Sequence, residues 1–77
     1  MATGFVLITT SAGFEHSIRV ALDEIEMVTG RWMVFGEYDL IARIVADDEA
    51  SLTRCIVEEV RAIEGIKDTK TLIGAEL

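Results

Sequence analysis

The chain has 77 residues, 51% of them hydrophobic, with seven Lys and Arg against 14 Asp and Glu and a net charge of −7. That length allows one compact domain, residues 1–77, too small to bury a large core by itself. That charge opposes direct binding to nucleic acid or to an anionic membrane, since both reward cationic surfaces. Cys55 is the single cysteine, so an intrachain disulfide is impossible, and no His/Cys cluster has the spacing of zinc ligands. Oligomerisation is the staple that remains for so small and apolar a chain. The longest apolar run is too short to span a bilayer. Met1-Ala2-Thr3-Gly4 lacks the charged start of a signal peptide, and the expectation is a soluble cytoplasmic protein.

Phe5-Val6-Leu7-Ile8-Thr9-Thr10 is an unbroken run of apolar and β-branched residues and reads as a strand covered on both faces. Ser11-Ala12-Gly13 breaks it. Phe14, Ile18, Ala21, Leu22 and Ile25 then fall on one helical stripe, opposite Glu15, His16, Arg19, Asp23 and Glu24. Ser11 or Gly13 is the expected cap. Met27 to Phe35 returns to a strand pattern, with Gly30 marking a bulge or bend. A turn at Gly36 leads into a third strand, Leu40 to Ala46, and the short connection predicts an antiparallel hairpin. Asp47-Asp48 opens a second helix with the stripe Leu52, Cys55, Ile56, Val60 and Ile63, and Gly65 is its expected left-handed stop. Ile66 to Ile73 makes the last strand, with Thr69 and Thr71 on one face and Lys70 and Leu72 on the other.

The order β-α-β-β-α-β predicts an α+β, ferredoxin-like fold: a four-stranded antiparallel sheet with two helices on one face. The helices cover one face only. Strands one and three carry apolar residues on the other face too, with Arg43 as an exception, and the cheapest cover is a second copy packed sheet to sheet.

Gly36-Glu37-Tyr38-Asp39-Leu40 is the chemically richest stretch. It joins a residue free to take positive φ, a flat aromatic with a hydroxyl, and a carboxylate. Backbone donors and an anion at one turn suit a small zwitterion, with Asp39 facing the ammonium group; the alternative for Asp39 is an Asx-type bond within its own turn. Thr69 and Thr71 can bond a ligand carboxylate or pair across strands. Trp32 lines the pocket or lies buried in a dimer interface. His16 falls on a polar helix face, and Cys55 is a small apolar filler. Val20 and Val57 fall off their stripes. The chain holds no nucleophile–base pair and no phosphate loop, and Asp47-Asp48-Glu49 lacks the spacing of a calcium loop.

The GEYDL turn at Gly36 to Leu40, Ile63-Glu64-Gly65-Ile66 and Thr69-Lys70-Thr71-Leu72-Ile73 together resemble the RAM domain. This is the effector-binding and oligomerisation domain of the Lrp/AsnC transcriptional regulators. The resemblance covers residues 4 to 75 and looks like the stand-alone form, without the DNA-binding part. It implies a dimeric α+β barrel made by packing two sheets face to face, assembly into octamer-like rings, and amino-acid effectors bound where dimers meet. It places the ligand-binding loop on Gly36, Glu37, Tyr38 and Asp39, and the last-strand contribution, often from a neighbouring subunit, on Thr69 and Thr71. The residues suggest neither cofactor nor metal, and the expected output of such a sensor is mixed assembly with a full-length Lrp/AsnC regulator or an unrelated partner. Phe35 stands where the family often has a small polar residue, and Gly74-Ala75 interrupts a strand end that is usually apolar. Two other readings fit the fold class: a small-monooxygenase-type enzyme on a dimeric α+β barrel, and a ligand-free assembly module.

Overall fold

The computed structural model describes residues 1–74. Four strands, β1 (Ala2–Thr10), β2 (Val28–Met33), β3 (Leu40–Ala46) and β4 (Ile66–Ile73), form one antiparallel sheet in the order β2-β3-β1-β4. Helices α1 (Glu15–Asp23) and α2 (Glu49–Cys55), with a π-helical segment Ile56–Val60 continuing α2, complete the expected β-α-β-β-α-β order. Strands β3 and β4 keep the bounds read from sequence. Strand β1 starts at Ala2 rather than Phe5, because β3 runs on to Ala46 and gives Ala2 a pairing partner.

Alternation decides what is buried. Val6, Ile8 and Thr10 of β1 and Leu40, Ala42, Ile44 and Ala46 of β3 point towards the helices. There they meet Ile18 and Leu22 of α1 and Leu52, Cys55, Ile56 and Val60 of α2 and its continuation. These residues are the core; fully burying each large aliphatic contributes about 1.5–3 kcal/mol. Cys55 is buried, and that burial pushes its thiol pKa up to about 11.

On the opposite face, paired residues place Phe5, Leu7, Ile41, Val45, Trp32 and Leu72 together, with Arg43, Lys70 and Asp68 among them. The reading of β1 as covered on both faces therefore fails for a single subunit. Both helices pack on the same side, which leaves Trp32 46% and Leu72 50% exposed and the other four apolar residues half-buried.

Local chemistry sets the element ends. Asp48 caps α2 by accepting from the Ser51 N–H at 2.7 Å, and that bond holds its carboxyl below the ordinary 3.8. Neither Ser11 nor Gly13 caps α1: Phe14 is the cap residue, without a side-chain bond, and the Ser11 N–H instead donates to Gly65 O at 2.8 Å. Gly65 has φ +97° but lies beyond the helical stop at Arg61, so it shapes the loop into β4 rather than capping the helix. The Phe14 ring lies where a Cβ on Gly65 would be.

The π-helical segment, closed by Arg61 N–H donating to Ile56 O at 2.9 Å, has a packing cause. In a regular helix Glu59, seven residues after Leu52, would sit in the middle of the apolar stripe. The wider turn swings Glu59 out to solvent and brings Val60 in to full burial.

Candidate functional site

The turn joining β2 to β3 is held by backbone first. Strand β2 stops at Met33, two residues before its expected end at Phe35; one further bond in the same register, from Val34 N–H to Asp39 O at 3.0 Å, closes the turn. Gly36 takes φ +118°, a backbone angle that side chains disfavour, so this turn uses the freedom of its glycine. Phe35 is wholly exposed, Glu37 is exposed, and Tyr38 and Asp39 are partly covered.

Asp39 is the hub of the turn. Its N–H donates to Ile8 O at 2.8 Å, and its carbonyl accepts from Val34. Its carboxylate reaches the end of β1, where Oδ2 accepts from the Thr10 N–H at 2.8 Å and from the Thr10 hydroxyl at 3.3 Å. The carboxylate thus bonds across to β1, not within its own turn. No described residue donates to Oδ1. One carboxylate oxygen is fixed and the other is left to accept.

Thr10 was missed by sequence reasoning. It is 8% exposed, the one buried polar residue among those described. The signal was available: Thr10 continues the helix-facing series Val6, Ile8, so a hydroxyl there needs a partner from within the fold.

Thr69 and Thr71 lie on β4, an edge strand, in the register that faces the helices. Thr69 pairs with Ile8 and Thr71 with Val6. Ile8 also pairs with Leu40, so Thr69 and Asp39 belong to the same end of the sheet with β1 between them. One subunit does not bring the threonines and the turn into a common cavity. Three surface depressions, of about 700, 400 and 160 Å³, are lined by other residues, except that the one of about 160 Å³ includes Thr69 beside Arg61, Ile66, Lys67 and Asp68.

Trp32 sits on the open sheet face rather than at the turn. Its ring covers Gly30, where an added Cβ would lie 2.7 Å from the indole, and this explains the glycine at the β2 register shift. The Arg43 guanidinium stacks 5.6 Å from the ring centroid and donates to Thr29 Oγ1 at 2.9 Å and Thr29 O at 3.3 Å. His16 is exposed on α1. Val20 and Val57 are exposed, as their places off the stripes suggest. Gly74 N–H donates to Thr3 O at 2.7 Å, so the strand end stays paired at that glycine; Ala75 lies outside the described residues. Among the described residues no group of three or more His, Cys, Asp or Glu could hold a metal ion, and no helix is long and apolar enough to cross a membrane.

Comparison with known proteins gives this arrangement a family. No curated protein matches the sequence. Among solved structures, FFRP-DM1 is 35% identical with a TM-score of 0.93, covering 97% of this chain and 100% of that one. The protein PHS023 of Pyrococcus horikoshii is 34% identical with a TM-score of 0.91, covering 100% of this chain and 93% of its own. A transcriptional regulator of Neisseria meningitidis, NMB0573, solved as a complex with L-Met, is 10% identical with a TM-score of 0.87; the match covers 97% of this chain and 50% of the regulator and shows a common fold. The model of the Lrp/AsnC ligand binding domain matches residues 3–75. With nearly every described residue inside that match and the GEYDL turn in place, the chain belongs to the Lrp/AsnC ligand-binding domain family.

Proposed function

We propose that this chain is a non-enzymatic, amino-acid-responsive assembly domain that acts in the cytoplasm. The observation that carries the reading is the uncovered face of the sheet. Trp32 and Leu72 leave about half their surface in water, and Phe5, Leu7, Ile41 and Val45 beside them leave a smaller share. Covering the rest is worth about 1 kcal/mol for each of the first two and about half that for each of the other four, or about 8 kcal/mol over two copies. Association costs about 4–15 kcal/mol, so a two-fold, sheet-to-sheet dimer lies within reach of this face alone. Family membership and the L-Met complex of a regulator with the same fold support an amino acid as the effector.

The ligand lodges where subunits meet. Gly36, Glu37, Tyr38 and Asp39 of one subunit supply the turn, and Thr69 and Thr71 of a neighbour supply hydroxyls, since β1 separates the two groups within a subunit. A ligand held by two subunits has an affinity for the assembled state that it lacks for the separated one, and so shifts the equilibrium towards larger assemblies such as octamer-like rings. Mixed assembly with a full-length Lrp/AsnC regulator would carry that shift to transcription.

The test is mass in solution, by light scattering, combined with thermal melting across the free amino acids at millimolar concentration. The expected result is a dimer or larger that at least one amino acid stabilises and enlarges, and a monomer for the Ile41→Glu variant. A monomeric wild-type chain, or one that no amino acid stabilises, overturns the reading.

A further inference from the structure

We propose that Thr10 is the positioning residue of the effector site, and that it restricts the site to ligands with a free primary ammonium group. The inference rests on the amino-acid reading above and goes into the chemistry of that site. A carboxylate accepts through two oxygens, each with two lone-pair positions. Asp39 has both positions of Oδ2 occupied, by the Thr10 N–H at 2.8 Å and the Thr10 hydroxyl at 3.3 Å. Its backbone is held as well, by Ile8 O and Val34 N–H. Thr10 is itself buried and paired with Ile66 at the end of β1, so this arrangement is anchored on the sheet.

The consequence is a carboxylate that offers one oxygen. A guanidinium binds a carboxylate best through two parallel N–H···O bonds, which need both oxygens. A primary ammonium is a point charge with three donors and needs only Oδ1. The geometry therefore selects ammonium over guanidinium, and charged donors over the neutral N–H of an acylated amine. The Thr10 hydroxyl fixes the carboxylate rotation: without it, Oδ2 keeps a single bond, and the plane can turn away from the orientation in which Oδ1 faces the ligand.

The experiment is calorimetry on the full chain. The best binder among the free amino acids is compared with its N-acetyl derivative, its α-guanidino analogue and its 2-hydroxy acid, on wild type, Thr10→Val and Thr10→Ser. Thr10→Val keeps the backbone bond and removes only the hydroxyl. The expected result is that the N-acetyl and guanidino compounds bind wild type at least about tenfold more weakly than the parent amino acid. Thr10→Val then weakens the free amino acid about tenfold, leaves the weak 2-hydroxy acid unchanged, and Thr10→Ser restores binding. A merely structural role for Thr10 would lower all ligands together. Undiminished amino-acid binding by Thr10→Val, or equal binding of amino acid and N-acetyl derivative by wild type, overturns the inference while leaving the effector reading in place. Failure of every amino acid to bind wild type removes the effector reading itself.

Discussion

Replacing Asp39 by alanine tests the turn as a structural tie as well as a binding group. The carboxylate holds Thr10 at the end of β1, and Thr10 is only 8% exposed, so water cannot fully replace the lost acceptor. The bond from the Thr10 N–H at 2.8 Å has a charged acceptor, a type worth about 1.5–3 kcal/mol. The hydroxyl bond at 3.3 Å is long and adds a fraction of that. The expected loss is about 2–3 kcal/mol. In a domain of this size each kcal/mol moves the melting temperature by about 4–8 °C, which gives a fall of about 8–24 °C. Asp39→Asn retains a neutral acceptor, and about half the loss is expected. The assay is thermal unfolding followed by far-UV circular dichroism at one fixed protein concentration, because assembly makes melting concentration-dependent. Comparison of Asp39→Ala, Thr10→Val and the double variant isolates the hydroxyl contact, since the pair should lose less than the sum of the singles. A melting temperature for Asp39→Ala within about 2 °C of wild type would refute the assignment of Asp39 as a tie, because the solvated alternative costs almost nothing.

Two further outcomes follow from local geometry. Gly65→Ala should lower stability by more than the ~1–2 kcal/mol of a left-handed backbone angle, because the new Cβ also meets the Phe14 ring; Phe14→Ala should recover part of the difference, as chemical denaturation would show. The carboxyls of Asp48 and Asp23 are held below their ordinary 3.8, by the Ser51 N–H and by the Arg31 guanidinium respectively. The unfolded chain therefore takes up more protons than the folded one in the acid range. Their stabilisation is complete above about pH 5 and is lost as pH falls below the ordinary value through the depressed ones. Asp48→Ala should flatten the fall in melting temperature between about pH 5 and about pH 2 relative to wild type.

Much of the fold was legible because it rests on short-range rules. The period of Phe14, Ile18, Leu22 and Ile25 specifies a helix whatever surrounds it, and Asp48 caps α2 because a carboxylate there meets free amide groups. The apolar run of β3, broken only by Arg43, marked its bounds. Ser11 was misread because α1 begins only at Glu15, after a turn in which the Phe14 N–H donates to Ser11 O, and Gly65 was misplaced because the helix ends earlier than its glycine. The π-helical segment had a trace in sequence, Glu59 on the apolar stripe, but the choice between burying a charge and widening a turn is made by the sheet beneath it.

The amino-acid sequence by itself determined the β-α-β-β-α-β order, the antiparallel hairpin, the chemistry collected at Gly36 to Asp39 and the surplus of apolar residues that one subunit cannot cover. Those depend on neighbours a few positions apart or on composition. Only the tertiary structure decided that Asp39 spends Oδ2 on Thr10 while no described residue donates to Oδ1, that Arg43 stacks on Trp32 over Gly30, and that β1 stands between the turn and Thr69. Each of these joins residues far apart in the chain, and strand register, to which a one-residue slip is enough to turn a side chain to the other face, sets them.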